Sequence, residues 1–212
     1  MRAESLAWLA SALAFAVAMA ATPGPNNAMV TASGASWGFR RTLPHICGIS
    51  IGFPVMLLAV ALGAGEVLRS RPWVQESMRW VGAAYLLWLA WRIATAIPRT
   101  AAAGPDRAGM AREDARPLSF VHAALFQWVN PKAWVIALGA VVTFTTAGSG
   151  SVGQGALLAA VFLAVILPTT AFWTLVGVGA ARVLRTPAAL RRFNLAMAAL
   201  LVASLVPLLL EG

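Results

Sequence analysis

Long apolar runs follow one another along this chain, and they constrain its fold more than any other feature. A helix needs about 20 consecutive apolar residues to cross the hydrocarbon core of a bilayer. A soluble domain of 212 residues can bury one core, but it cannot hide several runs of that length at once. Six runs can be drawn, at about residues 5–31, 43–65, 76–97, 118–142, 154–181 and 193–210. The sequence therefore predicts a chain whose solvent is largely lipid.

The composition also agrees with a chain that lies in lipid. Of its residues, 60% are apolar and 11% are charged, and the mean hydropathy is +0.77. Soluble domains average about half apolar and about a quarter charged residues. The runs also lack the alternation of polar and apolar residues that marks the strands of a membrane barrel. Because a lipid-exposed backbone must satisfy its own hydrogen bonds, we expect an all-α integral membrane protein with six transmembrane helices.

The arginine distribution predicts how these helices are oriented. The net charge of +9 would suggest a nucleic-acid partner in a soluble protein. Here fifteen of the sixteen cations are arginines at or near the ends of apolar runs, and such residues are enriched on the cytoplasmic side. Eleven arginines lie on the side where runs one, three and five end, against four on the other side. We therefore expect both termini outside the cytoplasm and no nucleic-acid partner.

The N-terminal run has two interpretations. Residues Leu6–Ala21 end in small side chains that satisfy the pattern of a signal-peptide cleavage site. A signal peptide begins with a positive region, whereas Arg2 is offset here by Glu4, and apolar character resumes after a proline cluster through Val30. We favour an uncleaved first helix that is broken, with a cleaved signal peptide as the alternative.

Residues 98–117 form the one real linker in the sequence. They combine Ala, Gly and Pro with four arginines and three acids, and they show no apolar period. We expect a cytoplasmic tether within a single membrane domain, with a regulatory loop as the alternative. The tether would join a first three-helix repeat at residues 1–97 to a second repeat at residues 118–212.

The first run contains a break at residues 22–27, which read Thr-Pro-Gly-Pro-Asn-Asn. Two prolines with a glycine between them cannot maintain helical hydrogen bonding. The carbonyls freed upstream, together with Asn26 and Asn27, must then find partners in neighbouring helices, in water or in a polar ligand. A kink that serves packing alone is the competing interpretation.

The fourth run contains a second break, where Pro131 follows Asn130 and precedes Lys132, the only lysine in the chain. A cation deep in a span costs at least about 2.5–3.5 kcal/mol, so it normally faces the protein interior or a watery cavity. Such a residue indicates a functional path through the membrane. The alternative is a lysine whose flexible stem carries its charge to the membrane surface.

Both breaks fall in the first helix of a three-helix half, at Pro25 and at Pro131. Because three spans is an odd number, the second half enters the membrane from the opposite side, which gives an inverted repeat. Inverted repeats bring their broken helices together near the middle of the membrane, where they form a substrate site. The candidate substrate-binding residues are Pro23, Gly24, Pro25, Asn26, Asn27, Gln127, Asn130, Pro131 and Lys132.

A hydrolase motif is the main competing signal. Gly48–Gly52 fits the G-x-S-x-G pattern, and His45 and His122 could serve as bases. That pattern needs a strand before the serine, whereas these residues lie inside one apolar run, where glycines four residues apart usually let helices pack closely. An intramembrane serine hydrolase is therefore the least favoured alternative.

Other chemistry finds little support in the sequence. No carboxylate lies centrally in an apolar run, and no phosphate-binding loop motif is present. A histidine can titrate near neutral pH, but a lone histidine near the end of a span more often forms hydrogen bonds at the membrane surface. Cys47 is the only cysteine, so we expect neither a disulfide nor a cysteine metal site.

Four short motifs occur together along the chain: Pro23–Asn27, Gly38–Thr42, Gly82–Leu86 and Asn130–Ala133. In this combination the chain resembles the LysE/RhtB family of bacterial amino-acid exporters over nearly its whole length. One departure concerns the site, because Gln127 stands where the family usually has an asparagine. The longer side chain keeps the amide chemistry but changes its reach, so substrate specificity should not be copied from a relative.

The resemblance implies export of amino acids or closely related metabolites across the bacterial inner membrane, driven by an ion gradient that is typically one of protons. It implies no organic cofactor and frequently a homo-oligomer, and we expect no metal. Our leading hypothesis is that Asn26, Asn27, Gln127 and Asn130 bind the solute while Lys132 meets its carboxylate. A non-transporting membrane scaffold is the second hypothesis.

Overall fold

The computed structural model describes residues 2–95, 117–146, 151–184 and 186–206, and the secondary structure of these residues is helical throughout, without a strand. The all-α prediction is therefore confirmed. Most of the predicted linker at 98–117 lies outside the described residues. The helices are α1 Arg2–Ala21, α2 Pro25–Trp37, α3 Phe39–Ala59, α4 Gly65–Ser70, α5 Pro72–Thr95, α6 Phe120–Val129, α7 Pro131–Phe144, α8 Ser151–Val183 and α9 Pro187–Ala203.

Three helical segments in the described part of the chain are each long and apolar enough to cross a membrane: Glu4–Ala21, Phe39–Ala64 and Val152–Val183. Helices α6 and α7 meet at an angle of 69° and count as a fourth span if the bent pair is taken together. The chain is thus a multi-pass membrane protein. The full count of six spans stays a prediction, because α5 and α9 do not meet this test of length and hydropathy.

Helix α8 lies at the centre of the helix packing. Helices α1, α2 and α3 all pack against it, and α3 also packs against α6. Helix α5 packs mainly against α9, which in turn contacts α2. Apolar side chains from α1, α3, α7 and α8 form one buried core, while α2, α5, α6 and α9 contribute to a second. The two broken segments, α1–α2 and α6–α7, lie between these cores.

Glycines make the closest helix crossings possible. A Cβ atom on Gly48 or Gly52 would collide with the backbone of α6, and one on Gly177 would collide with the backbone of α2. Ser50 between the first two glycines is buried and pairs with Thr170 of α8 at 3.5 Å. The G-x-S-x-G motif is therefore a packing motif inside helix α3, as expected, because the strand–turn–helix setting of a hydrolase serine is absent around it.

Candidate functional site

The first break separates α1 from α2. Helix α1 ends at Ala21, Gly24 is fully extended, and Pro25 opens α2 at its first position, where a missing N–H costs nothing. The end of α1 leaves carbonyls without helical partners. The Asn27 side-chain amide donates to two of them, the carbonyl of Ala20 at 2.8 Å and that of Thr22 at 3.1 Å. Asn27 therefore stabilises the broken backbone.

The second break separates α6 from α7. Asn130 has an extended backbone, and Pro131 opens α7 as Pro25 opens α2. Asn130 is only 2% exposed. Its Oδ1 atom has no hydrogen-bond partner among the described groups, which is uncommon for a buried polar atom because such an atom loses its water without compensation. An orphaned acceptor is thus located at the bend.

Lys132 brings the two breaks together. Its Nζ donates to the carbonyl of Thr22 at 2.7 Å and lies 3.4 Å from that of Pro23. A Cβ atom on Gly24 would lie 2.8 Å from the Lys132 Cδ, so this approach depends on a residue without a side chain. The ammonium group therefore contacts the broken backbone of the first segment. Lys132 is partly buried and these contacts are exposed, so the interior and the surface interpretation of Lys132 both stay predictions.

A second contact between the segments is an amide pair. Asn26 Nδ2 donates to Gln127 Oε1 at 2.8 Å, and Gln127 Nε2 donates to Asn26 Oδ1 at 3.2 Å. Gln127 Nε2 also donates to the carbonyl of Ala123 at 2.9 Å. Because Gln127 is fully buried and its amide is occupied, its principal role in this structure is to join α2 to α6.

A cavity of about 50 Å³ lies beside these contacts. One water molecule needs about 10–15 Å³ of such space, so the cavity can hold a few waters or part of a compact solute. Six of the nine predicted residues line it, whereas Pro23, Gln127 and Pro131 do not. The lining residues are Met19, Ala20, Gly24, Pro25, Asn26, Asn27, Ile49, Phe53, Asn130, Lys132, Ala133, Ile136, Phe162, Ile166, Thr169 and Thr170.

Helices α3 and α8 contribute walls of the cavity that were not predicted from the sequence. Ile49 and Phe53 of α3 provide an apolar wall, and Thr169 and Thr170 of α8 add hydroxyl groups. A signal for the α8 wall was present, because Pro168 precedes these threonines inside an apolar run. No comparable signal distinguished the α3 wall, since its side chains are typical of any buried helix.

The cavity lining carries a positive charge. Among the described residues that form it, Lys132 is the only charged one, and neither Asp nor Glu occurs. The described residues also contain no group of three metal-ligating side chains. The same lining contains the Lys132 ammonium and Asn130, whose Oδ1 is an unpaired acceptor. A zwitterion needs opposite partners of this kind for its carboxylate and ammonium groups.

The two histidines lie in different environments. His122 is exposed at the start of α6, where its Nδ1 pairs with Ser119 Oγ at 2.8 Å. His45 is buried, and neither ring nitrogen has a hydrogen-bond partner in the described part of the chain. His122 thus forms a hydrogen bond as expected of a histidine near a span end, and its place at the membrane surface stays a prediction. The expectation is wrong for His45, because the packing of α3 encloses it and it forms no such bond.

Comparison with known proteins gives an independent view of the chain. The family model described as LysE type translocator matches residues 17–212. The cysteine/O-acetylserine efflux protein of Escherichia coli (strain K12) is 35% identical over 147 residues, which cover 66% of this chain and 69% of that protein. Proteins of the same name from Shigella flexneri and Salmonella typhimurium match at the same identity and coverage. No solved structure matches the chain.

The family match covers both helix breaks and every described helix from α2 to α9, and it begins near the end of α1. It agrees with the resemblance that the proline motifs indicate, and it leaves no support for the hydrolase alternative. The family consists of translocators, and the relatives named above are efflux proteins. The chain belongs to the LysE type translocator family, and it is a transporter and not an enzyme.

Proposed function

We propose that this chain exports small, uncharged-side-chain amino acids across the bacterial inner membrane by exchange with protons. The observation that carries the proposal is that Lys132 and Asn130, whose Oδ1 has no partner among the described residues, line one cavity between two broken helices. An ammonium group and an orphaned carbonyl oxygen complement the two charged groups that every amino acid has in common.

The binding mode follows from the donors and acceptors present. The solute carboxylate replaces the carbonyls of Thr22 and Pro23 as the partner of the Lys132 ammonium. A charge-assisted contact of this kind is roughly twice as strong as a neutral one. The solute ammonium donates to Asn130 Oδ1 and to the backbone carbonyls that Lys132 releases. Binding therefore replaces the hydrogen bonds between Lys132 and the backbone carbonyls by hydrogen bonds to the solute. Both charged groups of the solute are then paired.

The lining favours a small solute without a charged side chain. Ile49, Phe53 and Phe162 offer apolar surface, and no carboxylate lines the cavity to accept a cationic side chain. The names of the matching relatives, cysteine/O-acetylserine efflux proteins, point to solutes of the same class. Cysteine and O-acetylserine are therefore the first substrates to test, with lysine as the contrasting solute.

The helix contacts support an inverted repeat of two three-helix halves. The broken segment of the first half, α1–α2, packs against α8, the second long helix of the other half. The broken segment of the second half, α6–α7, packs in the same way against α3, while α5 and α9 pack against each other. Such reciprocal packing is what a twofold relation between residues 1–97 and 118–212 would produce.

Tryptophans on α5 support its assignment as a span, although its mean hydropathy is too low to identify it. Trp73 and Trp91 lie near opposite ends of the helix and are 65% and 64% exposed. Their 18-residue separation corresponds to about 27 Å along a helix, close to the thickness of the hydrocarbon core. Tryptophan is enriched at both membrane surfaces. With α5 and α9 counted, six spans would put both termini on the same side of the membrane, and the arginine distribution favours the outside.

The proposal is tested by reconstituting the full chain into liposomes loaded with labelled O-acetylserine, cysteine or lysine. We expect an acidic external buffer to accelerate efflux of the first two solutes, with little effect on lysine. Efflux that is indistinguishable from protein-free liposomes for every amino acid tested would contradict export and favour the scaffold alternative.

A further inference from the structure

We propose that His45 is the proton-binding group of this transporter, an inference that rests on the proposed function. His45 lies on α3 and is 2% exposed. Both nitrogens of its ring lack a hydrogen-bond partner within the described residues. A neutral imidazole has one donor and one acceptor, and burying both without partners costs free energy. The side chain is therefore poorly suited to a purely structural role.

His45 lies one helical turn from the candidate solute cavity. Ile49 follows it four residues later on α3 and lines the cavity. Four residues correspond to about 6 Å along a helix axis, and residues at this spacing share a helix face. A proton on His45 would therefore lie close enough to affect a charged solute in the cavity without direct contact.

Buried hydroxyl groups lie on either side of His45 along α3. Thr42, one turn before it, pairs with Ser33 of α2 at 3.0 Å and donates to the carbonyl of Gly38 at 2.9 Å. On the cavity side, Ser50 pairs with Thr170, which is itself a lining residue. These hydroxyl groups form a row of polar groups along α3 from the α2–α3 junction, on the predicted cytoplasmic side, towards the cavity, although none of them is hydrogen-bonded to the His45 ring in this structure.

Among the titratable groups on α3 and on the helices packed against it, His45 is the best candidate for the proton-binding group. None of the groups on α3 or on the helices packed against it is a carboxylate, α2 has no titratable residue, and α1 carries Glu4 only at its far end. Lys132 is already assigned to the solute carboxylate. Besides His45, the titratable and charged groups on α3 and on the helices packed against it are Arg40, Arg41 and Cys47 on α3, His122 on α6, Lys132 on α7 and Arg182 on α8.

Proton binding at His45 is coupled to solute binding through electrostatic repulsion. A proton on His45 adds a second positive charge near a cavity that already contains the Lys132 ammonium. No carboxylate lines the cavity to compensate, so the proton opposes binding of the solute ammonium. One proton therefore binds a ring nitrogen from the outer side when the solute has left, and it is released to the cytoplasmic side when the next solute binds.

The test separates solute exchange from proton-driven transport in liposomes that contain the full chain. One assay measures exchange of labelled for unlabelled O-acetylserine without a pH gradient. The other measures accumulation into vesicles whose interior is one pH unit more acidic, which for one-to-one exchange supports an about tenfold solute gradient. We expect His45→Gln to retain the exchange rate within about twofold while losing the accumulation, because the amide cannot take up a proton.

His122→Gln is the matched control, since His122 is exposed, and it should retain both activities. Accumulation that persists in His45→Gln would overturn the proposal, as would loss of exchange in both His45→Gln and His45→Asn. Wild-type protein that exchanges the solute but ignores the pH gradient would also overturn it. Wild-type protein without any exchange would contradict the proposed function itself.

A measurement on the unmodified protein keeps the proposal testable if the variants fold poorly. O-acetylserine added to purified wild-type protein in weak buffer should release protons, which a pH-sensitive dye detects. The release should saturate at about one proton per bound solute. Solute binding without proton release between pH 5 and 8 would overturn the assignment.

Discussion

The two helix breaks have similar sequences but different hydrogen bonding. At the first break, the carbonyls of Ala20 and Thr22 accept hydrogen bonds from Asn27 and Lys132. At the second break, the side-chain oxygen of Asn130 has no partner among the described residues. The first break therefore supplies a set of acceptors that is stable without a ligand, whereas the second supplies the cation and an unsatisfied group. In the proposed binding mode, the second break therefore provides the groups that bind the two charged ends of the solute.

Removing the cation should have the largest effect. Lys132→Ala should lower the transport rate by about a hundredfold or more, because charge-assisted hydrogen bonds contribute about 1.5–3 kcal/mol each. Arg182→Ala, which removes an exposed cation, is the control and should transport normally. The rates are measured as O-acetylserine exchange in liposomes. Near-normal exchange by Lys132→Ala would contradict the proposal that the Lys132 ammonium binds the solute.

Removing the orphaned acceptor should have the next largest effect. Asn130→Ala should raise the apparent KM for O-acetylserine by about tenfold, because one hydrogen bond to the solute ammonium is lost. The same change should leave thermal stability nearly unaltered, since Oδ1 has no partner to lose in the described structure. A large fall in Tm with an unchanged KM would show that Asn130 serves folding instead.

Adding a methyl group at the first break should have an intermediate effect. Gly24→Ala would place a Cβ atom 2.8 Å from the Lys132 Cδ, so the lysine stem must move away from the carbonyls of Thr22 and Pro23. We expect an about three- to tenfold loss of exchange, equivalent to about 0.7–1.4 kcal/mol. Gly179→Ala is the control, because no atom lies within 4 Å of the added Cβ. Equal exchange rates in Gly24→Ala and Gly179→Ala would show that the close approach of Lys132 to Gly24 does not matter for transport.

Removing the amide that stabilises the first break should affect stability more than transport. Asn27→Ala leaves the carbonyls of Ala20 and Thr22 without this donor, which should cost about 1–3 kcal/mol of stability. The measurement is the Tm of the detergent-purified protein, compared with Ser77→Ala, which removes an exposed hydrogen bond. An unchanged Tm together with a strongly raised KM would assign Asn27 to solute binding, contrary to the division between the breaks.

Local rules predicted the breaks, but they could not predict the contacts between them. Proline at 25 and at 131 determines where α2 and α7 begin, because proline favours the first turn of a helix. The pairing of Asn26 with Gln127 joins residues 101 positions apart, and it depends on how the helices pack. Asn27 illustrates the same limit, since its sequence position is equally compatible with a ligand contact and with its observed role at the end of α1.

Burial was similarly difficult to predict for single residues. His45 lies near the start of an apolar run, which suggested the membrane surface, yet the packing of α3 against α2, α6 and α8 encloses it. Thr169 and Thr170 were not predicted to line a cavity, because hydroxyl groups are common in membrane helices. Only the folded structure brings these two residues to the cavity. Sequence periodicity identifies helices, whereas helix packing determines which polar groups face each other.

The central claim is that the cavity between the breaks binds the carboxylate of a small amino acid through Lys132. Equilibrium binding of labelled O-acetylserine to purified protein tests it most directly, with wild-type and Lys132→Ala protein side by side. The account predicts saturable binding to wild-type protein, competition by cysteine but not by the amine that remains when cysteine loses its carboxylate, and no detectable binding to Lys132→Ala. Binding that is equally tight in a folded Lys132→Ala protein would contradict it.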